Sequence, residues 1–355
     1  MTARDPREIS PMIIHRSRRR RALGPLAILL AVFGFTLAHA THAMALDKIV
    51  FGTDWKAEAE YGGYYQAIAT GLYKKYGLDV ELRQGGPQVN NSQLLAAGVL
   101  DFSISSNTSV ALNFVANNIP MVTIAAFFQK DPAVLISHAG TNNDTFQQMK
   151  GKPILISTDT REGWWLFLKS KFGYSDSQIR PYTFQMAPFL ADPNAIQQGY
   201  VTSEPYILAK TGATVVVNLV ANAGWPAYGN MISTSAKLIH DKPELVARFI
   251  NASIEGWYSY LYGDPAPANA LIKKDNPDMP DDVITNGITM LKQYGIVDSG
   301  DAILMGIGAM TPERVALLYQ IMADAGIYKK DLDWKKGFDF DFVDKRHAIE
   351  MRPKP

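Results

Sequence analysis

Gly71-Leu72-Tyr73-Lys74-Lys75-Tyr76-Gly77-Leu78-Asp79-Val80 joins a segment of helical period to a segment of strand character, and that junction sets the class of the fold. Running into it, Tyr61, Tyr64, Tyr65, Ile68, Leu72 and Tyr73 recur at spacings of three and four, one face of a helix. Gly77 ends that helix and Leu78 to Leu82 takes up strand character. On the upstream side, Lys48 to Thr53 reads as a strand that turns at Asp54-Trp55. Strand, helix and strand in so short a span predict a parallel or mixed sheet covered on both faces, class α/β.

The alternation continues outward. Gln93 to Ala97 reads as helix with Gly98 as its stop, and Asp101 to Ile104 as strand. Ser105 to Asn107 offers caps for a helix running to about Asn117, and Met121 to Phe127 is the next strand. From about residue 133 a comparable set returns. Ala133 to Ser137 and Lys152 to Ser157 read as strands, and Thr158-Asp159-Thr160 caps a helix from Arg161 to Phe172. Gly199 to Glu204 echoes Gly98 to Ser103, and Thr214 to Leu219 echoes the strand at Met121, as two similar lobes would. After Met231-Ile232-Ser233 the chain turns helical, with periodic segments at Pro243 to Tyr262, Pro280 to Tyr294 and Pro312 to Ala325, each opened by proline.

The N-terminus has the plan of a secretory leader: Arg16 and Arg18 to Arg21, an apolar stretch from Leu23 to Leu37, then small residues at Ala38-His39-Ala40 and Ala43-Met44-Ala45. The apolar stretch is shorter than the roughly 20 residues a membrane-spanning helix needs, which favours cleavage after Ala45 over an uncleaved anchor. The arginine run also invites a twin-arginine reading, so the export route stays open. Taking away the leader's seven arginines with Asp5 and Glu8 leaves 28 basic and 32 acidic residues, a net charge of about −4. That balance carries no basic footprint for nucleic acid and no polybasic membrane patch. With no cysteine, the chain has no disulfide, thiol nucleophile, Cys-ligated zinc or lipidated cysteine. A freely soluble periplasmic protein fits best, and a monomer is expected. The mature chain of about 310 residues is large for one hydrophobic core.

Four ordered blocks, Asp54-Trp55, the Gly71 to Val80 stretch, Leu94-Leu95-Ala96-Ala97-Gly98 and Leu100-Asp101-Phe102, carry a family resemblance. The chain resembles the solute-binding proteins of ABC importers for nitrate, sulfonate, taurine and thiamine-precursor pyrimidine, and with them the thiamine-pyrimidine synthase-like superfamily. Gly151-Lys152, Ser203-Glu204-Pro205 and the helix after Pro243 extend it over most of residues 47 to 330. The resemblance implies the type II periplasmic-binding fold: two lobes joined by two crossover strands, with a ligand cleft that closes by hinge motion. On that frame residues 1 to 45 are the signal peptide, 46 to 130 with 231 to 345 one lobe, 131 to 230 the other, and 346 to 355 a tail. Ala187 to Pro193 departs from the family, interrupting what is there a plain helix.

Ligand groups in such lobes belong at strand C-termini and at the starts of the following helices. Asp54 and Trp55 stand at the first such end, where an indole can stack on a flat ring and a carboxylate can accept an N–H. Trp55 could equally pack between lobes, and Asp54 could cap the next helix. Gly62 and Gly63 in a helical first turn each cost roughly 1 kcal/mol against alanine, which close approach of a ligand or of the other lobe would explain. Tyr61 and Tyr64 are the cleft candidates there, and Tyr65 the core one. Ser105, Ser106 and Asn107 offer donors at the next strand end, or simply helix caps. In the second lobe Thr160, Arg161 and Trp164 sit at a helix start, Glu204 points a carboxylate in from the opposite side, and Trp225 closes the mouth or anchors a loop.

These residues favour a small planar heterocycle, such as a thiamine-precursor pyrimidine or a flavin, in a receptor that works with an ABC permease and its ATPase. The alternatives are a sulfonate, nitrate or taurine receptor, a ligand-sensing module, and a pyridoxal-phosphate-dependent synthase. The synthases of the superfamily hold the cofactor on a lysine and use a histidine and a cysteine-rich segment. Those positions fall on Ser105 and near Ser109, and a Schiff base needs an amine. No catalytic residue, cofactor or metal site is therefore expected, and the six histidines form no ligand cluster.

Overall fold

The computed structural model describes residues 45–86, 89–157, 159–183, 185–343 and 345–354. The leader expected at residues 1 to 45 lies outside them but for Ala45. Ten strands follow in chain order: β1 (Asp47–Gly52), β2 (Leu78–Arg83), β3 (Phe102–Asn107), β4 (Met121–Phe128), β5 (Ala133–His138), β6 (Ile154–Ile156), β7 (Ile179–Pro181), β8 (Ile196–Tyr200), β9 (Val215–Leu219) and β10 (Gly229–Ser235). Among the described residues they form two five-stranded sheets, ordered β2-β1-β3-β10-β4 and β7-β6-β8-β5-β9. In the first, β1 runs parallel to β2 and β3 while β10 is antiparallel to β3 and β4. In the second, β6 runs parallel to β7 and β8 while β5 is antiparallel to β8 and β9. One plan is thus used twice, with β5 and β10 exchanged between lobes. The chain crosses between sheets at residues 129–132 and again at 220–228.

This topology corrects the internal echo. By strand order β8 is the counterpart of β3, but Gly199 lies near the end of β8 whereas Gly98 precedes β3. The match at Thr214 to Leu219 does fall on counterparts, β9 and β4.

The segment from Gly62 to Gly77 is a broken helix. Helix Gly62–Ala69 stops, Gly71 takes a left-handed φ of 74°, Leu72–Lys75 makes one more turn, and Gly77 at φ 75° leads into β2. Tyr61, expected on the same helix face, stands before these pieces on a 3-10 turn, whereas both pieces pack on helix Pro243–Tyr262, which has the bounds expected for it. That helix buries Leu245, Val246, Phe249, Ile250, Ile254, Trp257 and Leu261 at helical spacing. Its aromatics explain the two glycines. A Cβ on Gly62 would lie 2.0 Å from the Tyr260 ring, and one on Gly63 would lie 2.2 Å from Trp257. Close approach between helices, rather than of a ligand, requires them.

Helices Ala266–Asp275 and Ala187–Ala191 were not read from the sequence; the second occupies the stretch that departs from the family. Residues 346 to 354 pack on the first lobe: Arg352 Nε donates to Asp298 at 2.7 Å and Arg346 N–H to the Met305 carbonyl at 3.0 Å. No helix among the described residues is long and apolar enough to cross a membrane.

Candidate functional site

Where β1 ends, the backbone must turn sharply to expose Asp54 and Trp55, and polar contacts hold that turn. Thr53 Oγ1 donates to the Trp55 carbonyl at 2.7 Å, and Asn91 Nδ2 donates to the Thr53 carbonyl at 2.6 Å. The next residues, Ala57-Glu58-Ala59-Glu60-Tyr61, alternate small apolar and acidic side chains. All five are buried, and Tyr61 O–H donates to Asp54 Oδ1 at 2.9 Å. At the end of β3, Asn107 Oδ1 accepts the Ser109 N–H at 2.9 Å and so caps helix Thr108–Ala116. In the first crossing segment, Asp131 accepts the Ala133 N–H and the Trp225 indole N–H, each at 3.0 Å.

The second lobe brings Thr160 and Trp164 at the start of helix Trp164–Phe172, and Gln198, Gly199 and Tyr200 at the end of β8. Glu204 opens helix Glu204–Lys210 and folds back beneath that strand end. It accepts Tyr200 N–H at 2.7 Å, Ser203 O–H at 2.6 Å and Tyr182 O–H at 3.1 Å. Gly199 permits this, since a Cβ there would lie 3.0 Å from the Glu204 Cβ.

These groups enclose one cavity between the lobes, about 790 Å³ with the solvent at its mouth included. Of the twelve residues expected to meet a ligand, Asp54, Trp55, Tyr61, Ser106, Asn107, Thr160, Trp164 and Glu204 line it. Four expected residues do not. Tyr64 is core: its ring meets Phe51 edge-on at 5.0 Å and Trp257 at 5.7 Å, and its hydroxyl donates to Asn230 Oδ1 at 2.6 Å. Ser105 lies inside β3 rather than after it. Its hydroxyl meets Ser233 at 3.0 Å, which meets Thr123 at 2.8 Å, a ladder across β3, β10 and β4. Arg161 is exposed on a 3-10 turn outside the lining. Trp225 is 2% exposed, a buried anchor whose indole N–H donates to Asp131.

The reading missed Glu58, Asp131, Gln198, Tyr200 and Ser203, all of which line the cavity. A signal existed for Glu58: two glutamates alternating with alanine in front of an apolar helix face are costly unless something meets them. Glu60, beside it, bridges the lobes by accepting the Thr202 hydroxyl.

Electrostatics follow from burial. The Glu58 carboxyl is pushed far above the usual carboxylate range, first by desolvation and then by the charges of Glu60, Glu204 and Asp54. Glu60 rises to about 7 and Asp131 to about 6, again chiefly by desolvation, against hydrogen bonds from Thr202 in the one case and from Ala133 and Trp225 in the other. Among the described residues lining the cavity there is no Lys, Arg or His. The cleft therefore offers aromatic surface, hydroxyl and amide groups, and carboxyls of which two, Glu58 and Asp131, are pushed toward the neutral form by burial.

Comparison with known proteins gives the site its setting. The model of the family described as NMT1/THI5 like matches residues 58–268. The riboflavin-binding protein RibY of Chloroflexus aurantiacus is 24% identical over 229 residues, 62% of this chain and 65% of that protein. The 4-amino-5-hydroxymethyl-2-methylpyrimidine phosphate synthase of Aspergillus parasiticus is 27% identical over 113 residues, 31% of this chain and 32% of that protein. The chain thus spans less than two thirds of the length of either curated relative. Among solved structures, the periplasmic aliphatic sulphonate binding protein SsuA of Escherichia coli superposes with a TM-score of 0.63 at 14% identity, covering 82% of this chain and 91% of that one. That likeness, with strands β5 and β10 exchanged between the two sheets, identifies the type II periplasmic-binding fold.

Proposed function

This chain belongs to the NMT1/THI5-like family, and we propose that it is the exported solute-binding receptor of an ABC importer, closing two lobes over a small flat heterocycle such as a thiamine-precursor pyrimidine or a flavin. The observation that carries this reading is the cavity between the lobes, into which each lobe sends aromatic and hydrogen-bonding side chains: Trp55 and Tyr61 from one side, Trp164 and Tyr200 from the other. The name of the Chloroflexus relative, a riboflavin-binding protein, supports a flat ligand. The partners would be a permease and its ATPase, and the compartment the periplasm.

Closure would bend residues 129–132 and 220–228. Arg314 grips both segments: it donates to the Gln129 carbonyl of the first, and to the Pro226 carbonyl at 2.8 Å and the Ala227 carbonyl at 3.3 Å of the second. Its guanidinium also lies 4.0 Å from the centre of the Tyr228 ring. A clamp on both crossings favours rotation of rigid lobes over deformation within them.

Two other readings are weaker. A sulfonate or nitrate ligand would meet a cleft with no basic side chain among its described lining residues. A synthase resembling the Aspergillus relative would need an amine for pyridoxal phosphate, and Ser105, at the expected position, is tied into the hydroxyl ladder. Thermal-shift measurements with riboflavin, a thiamine-precursor pyrimidine and taurine test the proposal. A clear shift with either heterocycle and none with taurine is the expected result. A shift with taurine alone overturns the ligand class, and a visible internal aldimine after incubation with pyridoxal phosphate overturns the receptor.

A further inference from the structure

We propose that the two lobes carry a polar latch of their own, in which Thr202, Tyr206 and Lys210 of the second meet Glu60, Asp282 and Asn286 of the first and so set how far the receptor stands closed. The inference rests on the receptor reading for closure and on no choice of ligand. Thr202, Tyr206 and Lys210 stand four residues apart, Thr202 just ahead of helix Glu204–Lys210 and the others along it. Asp282 and Asn286 have the same spacing on helix Asp281–Gln293. Thr202 is held twice: its hydroxyl donates to Glu60, and its carbonyl accepts from Asn286 Nδ2 at 3.2 Å. One and two turns further on, the Tyr206 hydroxyl at 3.1 Å and Lys210 Nζ at 2.6 Å converge on Asp282 Oδ2. The rungs run in opposite directions along the two helices, as an antiparallel pair requires. Gly287 permits the approach, since a Cβ there would lie 2.7 Å from that of Ala59 and 3.7 Å from the Thr202 carbonyl oxygen.

Position gives this latch leverage. Helix Asp281–Gln293 meets the second lobe at its first turns, and just past its other end the chain holds the first crossing. Lys130 Nζ donates to the Tyr294 carbonyl at 2.9 Å, and Gln129 N–H donates to the Ile296 carbonyl at 2.6 Å. Its 13 residues make an arm of about 20 Å between crossing and latch. A rotation of about 10° at the crossing would move the rungs by about 3.5 Å, more than a hydrogen bond survives. The groups are polar on both sides and are hydrated again once the lobes part, so each bond contributes little net and the latch is reversible. Apparent affinity scales with the fraction of protein in the competent state, so the latch tunes binding without touching the occupant.

Small-angle X-ray scattering of the purified protein at about 0.01 M salt tests the latch through charge reversal of its exposed rung. Asp282→Lys and Lys210→Asp each set like charges face to face. Each should shift the ratio of open to closed lobes about fivefold to tenfold and raise the radius of gyration. The double variant restores an ion pair with its signs exchanged and should return the scattering curve to that of the parent. Two single variants that scatter like the parent overturn the latch. So does a double variant that stays expanded, the result expected if each substitution merely loosened its own lobe. No ligand enters the measurement, so a failed latch leaves the receptor reading standing, and a failed ligand screen leaves the latch.

Discussion

Glu204 and Glu58 line the same cavity from opposite lobes under opposite conditions. Glu204 is gathered in by a backbone N–H and two hydroxyls of its own lobe, all within 3.1 Å, so its charge is spent on holding the end of β8. Glu58 has three carboxylates for neighbours and no donor among the described residues. A glutamate in a cleft is thus no single kind of evidence: one is held by donors of its own lobe, and the other meets none among the described residues.

The widest separation of the two should come from deleting their carboxylates. Glu204→Ala strands three donors, two of them on partly buried groups, and should cost about 2–4 kcal/mol in urea denaturation. A loss below about 0.5 kcal/mol would break the comparison. Glu58→Gln should act in the opposite direction, raising stability by about 1 kcal/mol at pH 7.5 and by nothing at pH 4, where the carboxyl is protonated in both states. No gain at pH 7.5 would mean that burial of the Glu58 carboxyl carries no such cost.

A change of similar size is expected from pH itself. Glu60 and Asp131 hold protons in the folded protein up to about 7 and about 6, against 4.5 and 3.8 as ordinary carboxyls. Raised folded-state values make their contribution complete at pH below the unfolded values and lost as pH rises through 6 to 7. Stability measured across pH 4 to 8 should fall through that window, and Glu60→Gln should flatten the fall. A profile unchanged by Glu60→Gln would place the proton elsewhere. The smallest effect should come from Trp225→Phe, which keeps the packing on Phe167 but removes the N–H bonded to Asp131. About 1 kcal/mol is expected by denaturation, with the Ala133 N–H still in place.

Much of the cleft was legible because strand ends are legible. Asp54 and Trp55 follow a short β run, Asn107 is a helix cap by residue type, and Glu204 stands before a proline that suits a helical first turn. Errors arose where register decided the outcome. Reading β3 as ending at Ile104 instead of Asn107 put Ser105 into the cleft, when it faces the β10 ladder. Tyr64 failed for a related reason. It sits three residues from Tyr61, but beside the Phe51 ring of β1 it is claimed by the Phe127 and Trp257 rings, which come from far along the chain.

By itself the sequence determined the α/β class, the bounds of helix Pro243–Tyr262, the ordered family blocks, and eight of the residues that line the cavity. These depend on period, capping and turn chemistry, which act within a few residues. Tertiary contacts alone settle that Gly62 and Gly63 serve a helix contact, that Asp131 leans on Trp225, and that Glu58 meets no donor among the described residues. Each of those depends on groups that meet from distant segments, and whether a buried charge is satisfied is known only when every neighbour is in place.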